Sequence, residues 1–177
     1  MSTPLIAVFG SGDAPAADLE RARRLGRALA EAGYGVINGG YGGTMEASAA
    51  GAREAGGTTV GVTCRTFTFR SGPNPHVQEV VEAPSLMGRI ETLLTRAAGY
   101  VVLPGGNGTL AELSLAWEHV RKGLLPGDER PIVAWEEPWK KVVGLLADGP
   151  YLGSGTEAIV WVNGVDEAVA AIRRRLS

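Results

Sequence analysis

The sequence predicts an α/β fold: one domain, 1–177, built on a parallel sheet of about six or seven strands with helices on both faces. Three observations predict it. Short apolar runs alternate with amphipathic stretches along the whole chain, the order expected of strand–helix–strand units. The runs are continuously apolar, as in strands buried on both faces. Clusters of glycine follow several of them, where a strand must turn into a helix. Right-handed crossovers then make the architecture doubly wound and Rossmann-like. A length of 177 residues suits one such domain.

The elements follow in order. Leu5–Phe9 reads as a buried strand ending in Gly10, Ser11 and Gly12. Residues 18–32 carry Leu19, Ala22, Leu25, Leu29 and Ala32 at helical spacing, and Gly33 closes the helix. Gly35–Asn38 is a second strand running into the turn Gly39–Gly43, and an Ala-rich helix from Thr44 to Ala55 stops at Gly56. Thr58–Thr63 is β-branched and reads as a third strand. Cys64–Pro75, with Arg65 and Arg70, is the longest irregular piece, the kind of loop that closes over ligands. His76–Ala83 reads as a short edge strand, Ser85–Ala98 as a helix, and Gly99–Leu103 as a strand ending in the turn Gly105–Gly108. Helix 109–122, strand 131–135, helix 139–147, strand 158–162 and a closing helix 165–176 complete the chain.

Composition removes several classes of function. Seventeen Lys and Arg against nineteen Asp and Glu give a net charge of −2, which argues against a nucleic-acid groove run on bulk charge. One cysteine excludes an internal disulfide framework and a Cys-based zinc site, and two histidines leave little for a metal centre. No metal or cofactor is expected. The first residues show no basic stretch before a long apolar core, and no run approaches a membrane span, so the expected location is cytoplasmic.

Glycine is over-represented, 26 residues of 177 against an average of roughly 7%. Three clusters fall at strand C-termini: Gly10 to Gly12, Gly39 to Gly43 (with Gly40 and Gly42), and Gly105 to Gly108 (with Gly106). Ligands of such sheets bind beyond those ends, and each turn feeds a helix whose free amides favour an anion. Three turns on one rim therefore predict a phosphate-bearing ligand, tight βα turns being the alternative. Pro15 stands where the last glycine of GxGxxG would be, and no turn carries Gly-Lys-Ser/Thr. A monophosphate is easier to accommodate than a dinucleotide or triphosphate.

Thr109 and Glu112 have the spacing of a capping box, in which Thr109 caps the helix and Glu112 reaches back. Glu112 also lies just behind the proposed cradle, where a carboxylate can act on a sugar. Arg89 reads either as a solvated helical arginine or as a fork for phosphate or a sugar hydroxyl. Met87 is expected in core or rim packing, with stacking on a base as the alternative. His119, seven residues after Glu112, is expected to pack in the core, His76 to lie at the surface, and Cys64 to behave as a small buried hydrophobe. Trp117, Trp135, Trp139 and Trp161 are expected in the core or an interface. Arg173 to Arg175 complement the dipole of the last helix.

Pro104 to Glu112 (PGGNGTLAE) resembles the PGGxGTxxE motif of the LOG (Lonely Guy) family, once labelled lysine decarboxylases. Arg89 stands fifteen residues before the motif proline, and Gly39 to Gly57 is similar to the family's upstream glycine-turn pattern. The likeness covers roughly residues 5–147. It implies a Rossmann-like homodimer that binds a nucleoside 5′-monophosphate, typically AMP, and cleaves its N-glycosidic bond to free base and ribose 5-phosphate, as members acting on cytokinin nucleotides do. It implies Arg89 and Glu112 as the catalytic pair and Gly105, Gly106, Gly108 and Thr109 as the phosphate cradle; Gly10, Ser11, Gly39, Gly40, Gly42 and Met87 complete the expected nucleotide site. Two places depart from the family pattern. Ile90 stands where the family has a lysine after the arginine, and the preceding histidine is absent; Thr44 to Glu46 replaces the usual Leu-Met-Gly. Related proteins that look like nucleotide or molybdenum-cofactor carriers show such departures, so a non-catalytic binder is the alternative. Amino-acid decarboxylation has no support, since no lysine stands in a turn suited to a Schiff base.

Overall fold

In the computed structural model the described residues are 3–67, 72–125, 130–147, 149 and 155–176. The strands are β1 (Leu5–Phe9), β2 (Gly35–Asn38), β3 (Thr59–Cys64), β4 (Glu79–Ala83), β5 (Gly99–Val102), β6 (Ile132–Trp135) and β7 (Ile159–Val162). The helices are α1 (Ala16–Glu31), α2 (Thr44–Glu54), α3 (Leu86–Arg96), α4 (Asn107–Arg121), α5 (Glu136–Ala147) and α6 (Val165–Leu176). All seven strands pair in parallel, in the order β4-β3-β2-β1-β5-β6-β7. The sheet is therefore the expected doubly wound one. Its winding reverses between β1 and β5, where such sheets open a crevice.

Alternate residues of β1, β2, β5, β6 and β7 feed two cores, and β3 and β4 feed one. Ala7, Phe9, Ile37, Val62, Tyr100 and Val102 face α3, α4 and α5. Ile6, Val8, Val36, Val101 and Val133 face α1, α2 and α6. Phe9, Leu93 and Leu113 are at most 1% exposed, and burying a side chain of this size contributes about 1.5–3 kcal/mol. β4 lies at the sheet edge, and its Glu79, Val80 and Glu82 are exposed, which is why its apolar signal is the weakest.

Helices α1 and α2 pack so closely that glycine is obligatory where they meet. A Cβ on Gly26 would overlap the Ser48 carbonyl oxygen, and one on Gly51 would overlap that of Arg23. Glu54 then joins the two helices by ion pairs to Arg23 (2.6 Å) and Arg27 (2.5 Å); as surface pairs these add little.

The capping reading of Thr109 is corrected. α4 starts two residues earlier than expected, its N-cap is Gly106, and no side chain bonds the free end. Thr109 is thus inside the helix, and Glu112 lies more than a turn from the cap. Ser85 does cap α3, its Oγ accepting from Gly88 N–H (3.1 Å). Trp117, Trp135 and Trp139 are buried and Trp161 is half-buried. Cys64 is buried. His119 is half-buried rather than core, its Nδ1 2.7 Å from Leu115 O one turn back. His76 is half-buried rather than at the surface, its N–H bonded to Asn74 Oδ1.

Candidate functional site

The glycine turns after β1, β2 and β5 come from three adjacent strands, because β1 sits between the other two. Above this switch point lies a cavity of about 340 Å³, within the range of small-molecule sites. Gly10, Ser11 and Gly12 of the first turn line it, with Gly106, Asn107, Gly108 and Thr109 from the start of α4. Tyr41, Met45, Phe67, Leu86 and Ile90 supply its apolar lining, and Arg89 and Glu112 its charge.

The start of α4 is open for an anion. Its first helical hydrogen bond runs from Leu110 N–H to Gly106 O (3.0 Å), so the amides of 107–109 have no acceptor within the helix. A Cβ on Gly106 or Gly108 would meet no atom within 4 Å, and neither residue has positive φ. Nothing inside the protein requires glycine there, although a glycine in a helix interior costs about 1 kcal/mol relative to alanine. The space their side chains leave opens on the cavity. Gly105 differs: a Cβ on it would overlap Thr109 Oγ1 and stand 2.8 Å from Thr109 Cβ, so it serves the turn itself.

Arg89, on the first turn of α3, is 6% exposed, and Glu112 on α4 is 8% exposed. Arg89 Nε donates to Val62 O (2.8 Å) within β3, and Nη2 approaches Met45 Sδ (3.8 Å). The guanidinium carbon lies 5.8 Å from the ring centres of both Tyr41 and Phe67, within cation–π range. Nη1 stands 3.6 Å from Glu112 Oε1, an ion pair too long for a hydrogen bond. Burial pushes the Glu112 carboxyl up to about 7, and the attraction of Arg89 only partly offsets this. Neutral pH thus holds Glu112 near its midpoint, poised to take or release a proton.

The second turn lines the cavity through Tyr41, and its glycines do not. Gly40 N–H is already bonded to Asn38 Oδ1 (2.9 Å), and its carbonyl accepts from Asn74 N–H (2.8 Å). Gly39 is buried against Arg89 and Met45, and Gly42 is half-buried near Glu46. None of Gly39, Gly40 and Gly42 lines the cavity, and neither does Gly105. Met87 is 62% exposed and outside the lining, so it is not core packing. Gly10, Ser11, Gly106, Gly108, Thr109, Arg89 and Glu112 are brought together.

The sequence reading missed Asn38 and Asn74, both buried. Asn38 Nδ2 donates to Met45 O (2.8 Å) and Ser48 Oγ (3.1 Å); Asn74 Nδ2 donates to Tyr41 O (2.9 Å). Asn38 ties the end of β2 to the turn and to α2, and Asn74 fastens that turn to the irregular segment. It also missed Tyr41 and Phe67; an aromatic residue set between glycines was the available signal for Tyr41. The irregular segment reaches the site through Phe67, whose ring is 6.0 Å from that of Tyr41. Arg70 lies outside the described residues.

The SLOG cluster4 family model matches residues 3–134. The chain belongs to this family. It is 34% identical over 161 residues to the cytokinin riboside 5′-monophosphate phosphoribohydrolase of Mycobacterium tuberculosis, covering 86% of this chain and 84% of that protein. The resemblance to LOG proteins read from the motifs therefore extends over most of this SLOG chain. Among solved structures, the molybdenum cofactor carrier protein of Chlamydomonas reinhardtii superposes with a TM-score of 0.78 at 26% identity, covering 99% of each chain. The molybdenum cofactor binding protein of Rippkaea orientalis shares the fold, with a TM-score of 0.81 at 20% identity over 100% of this chain and 99% of that one. No helix among the described residues is long and apolar enough to cross a membrane.

Proposed function

We propose that this chain hydrolyses the N-glycosidic bond of a nucleoside 5′-monophosphate, with AMP or a cytokinin nucleotide as substrate, to the free base and ribose 5-phosphate. One observation carries the reading: the buried Arg89–Glu112 pair shares its cavity with the uncapped start of α4. The 107–109 amides suit a phosphate, and the apolar lining with Tyr41 and Phe67 suits a flat base. The ribose then lies between them, within the reach of the charged pair. The phosphoribohydrolase relative supports the same activity.

Breaking the C1′–N bond builds positive charge on the ribose, as at a glycoside. The Glu112 carboxylate stabilises that charge and takes a proton from the attacking water. The water oxygen bonds to C1′, and the C1′–N electron pair leaves with the base, whose nitrogen is protonated from solvent. Glu112 then returns its proton to solvent. Arg89 holds the Glu112 carboxylate in place and donates to a sugar hydroxyl or the phosphate. Binding at the phosphate, remote from the reacting atoms, orients C1′.

The second reading is a carrier that binds a nucleotide or pterin-type cofactor in the same cavity without turnover. Ile90, apolar where the LOG pattern has lysine, and the likeness to a cofactor carrier favour it. Incubation of the pure protein with AMP and with a cytokinin nucleotide, followed by chromatography of the free base, separates the two. Released base supports the hydrolase; a thermal shift with AMP and no released base supports the carrier. The hydrolase proposal includes a cytoplasmic homodimer, for which exposed Met87 on α3, next to the lining residue Leu86, offers apolar surface.

A further inference from the structure

We infer that Gly39 is a positioning residue for Arg89: its missing side chain leaves the socket in which the guanidinium sits beside Glu112. The inference rests on the reading of Arg89 and Glu112 as the working pair.

The glycine is not required by the backbone. Gly39 directly follows β2 and does not have positive φ, unlike Gly40 (74°) and Gly43 (67°) in the same turn. Nor is it required by packing against main chain. A Cβ at this position would overlap Arg89 Nη2, 2.8 Å from Arg89 Cζ, and would stand 2.6 Å from Met45 Sδ. Both neighbours are the far ends of flexible side chains. The contrast with Gly26 and Gly51, whose Cβ atoms would strike carbonyl oxygens, is direct. A larger residue at 39 leaves the fold in place and moves the guanidinium.

The other walls of the socket define where the guanidinium belongs. Val62 O holds Nε, the neighbouring Tyr41 and Phe67 rings lie together on one side of the guanidinium carbon, and Nη1 faces Glu112. With Nε held at one end, a group pushed away from position 39 must turn, and the 3.6 Å approach of Nη1 to Glu112 changes. Gly39 thus serves the site by shaping Arg89, while Tyr41 of the same turn lines the cavity.

The test is a double-mutant cycle of wild type, Gly39→Ala, Arg89→Ala and the double variant. It reads the titration of the Glu112 carboxyl by ¹³C NMR, with Glu112→Gln identifying the signal. In the Arg89-containing background Gly39→Ala shifts the titration by about one pH unit, as the distance from the carboxyl to the opposite charge changes. In the Arg89→Ala background the same substitution moves nothing, since the coupling runs through Arg89. No shift in the first background, or equal shifts in both, overturns the inference. Should Gly39→Ala alone fail to fold, the double variant, freed of the overlap with Arg89, still folds; its failure as well would show that position 39 needs glycine for reasons other than Arg89, which overturns the inference. In the base-release assay Gly39→Ala lowers kcat by about 100-fold, the effect of a small misplacement of a reacting group, with KM little changed. A wild-type protein that releases no base while the NMR cycle holds refutes the hydrolase and leaves the positioning role standing.

Discussion

Arg89 and Glu112 form an ion pair 3.6 Å apart, both at least nine-tenths buried, on consecutive helices that cover one face of the sheet. Such a pair is poor value for stability alone, because desolvating two charges in an apolar setting offsets their attraction. The raised Glu112 carboxyl records that cost, with burial outweighing Arg89. Its place in a cavity argues for chemistry there.

Replacing Glu112 by glutamine keeps the volume and removes the carboxylate. Base release from AMP falls by about 100-fold or more, the scale of a general acid–base group, while AMP binding measured by calorimetry persists. Turnover like wild type in this variant removes Glu112 from the mechanism.

The proposed hydrolysis needs Glu112 ionised, so kcat/KM for AMP falls as pH drops through about 7, following the free enzyme. The effect on stability runs the other way. A carboxyl raised in the folded state contributes its full relative stability below its unfolded value near 4.5 and loses it as pH rises through about 7. Glu112→Gln therefore unfolds at a higher temperature than wild type at pH 8, by the equivalent of on the order of 3 kcal/mol. At pH 4 the difference disappears. Calorimetric melting curves at the two pH values check the sign.

Gly108 occupies the first turn of α4 with open space where its side chain would be. Gly108→Ala leaves Tm unchanged or raised, by up to about 1 kcal/mol of helix propensity. AMP binding weakens by about 10-fold, or 1.4 kcal/mol, as the new methyl group meets the ligand. Calorimetric titration and melting on one preparation read both effects. Undiminished affinity places the phosphate elsewhere.

Gly26→Ala, also a glycine-to-alanine change on a helix, has the opposite outcome. The new Cβ strikes Ser48 O of α2, and the helices must part at a cost of about 1–3 kcal/mol. Thermal melting shows a lower Tm than wild type with AMP affinity retained. A raised Tm would mean that α1 and α2 are not packed this closely.

Phe67 lines the cavity beside Tyr41. Phe67→Ala raises KM for AMP by about 10-fold, the scale of one aromatic contact, and changes kcat little. Steady-state kinetics separate the two; a loss confined to kcat contradicts a base-stacking role.

The linear sequence already carries the alternation of strands and helices, because continuous apolar runs and helical periodicity are local properties of consecutive residues. It singled out the glycine turn before α4 together with Arg89 and Glu112, which the structure brings to one cavity, since the PGGNGTLAE motif and the arginine before it stand in the linear order. What it could not decide was which residues meet. The capping box of Thr109 and Glu112 is a sound local pattern, yet α4 begins at Asn107 and the carboxylate faces Arg89 instead. Three glycine turns look alike in the sequence; only the strand order β2-β1-β5 and the packing of side chains behind it separate them. Gly106 and Gly108 open on a cavity, Gly39 makes room for a guanidinium, and Gly26 admits a neighbouring helix. The reason is physical. A glycine's meaning lies in what occupies the volume its side chain leaves, and residues distant along the chain supply that.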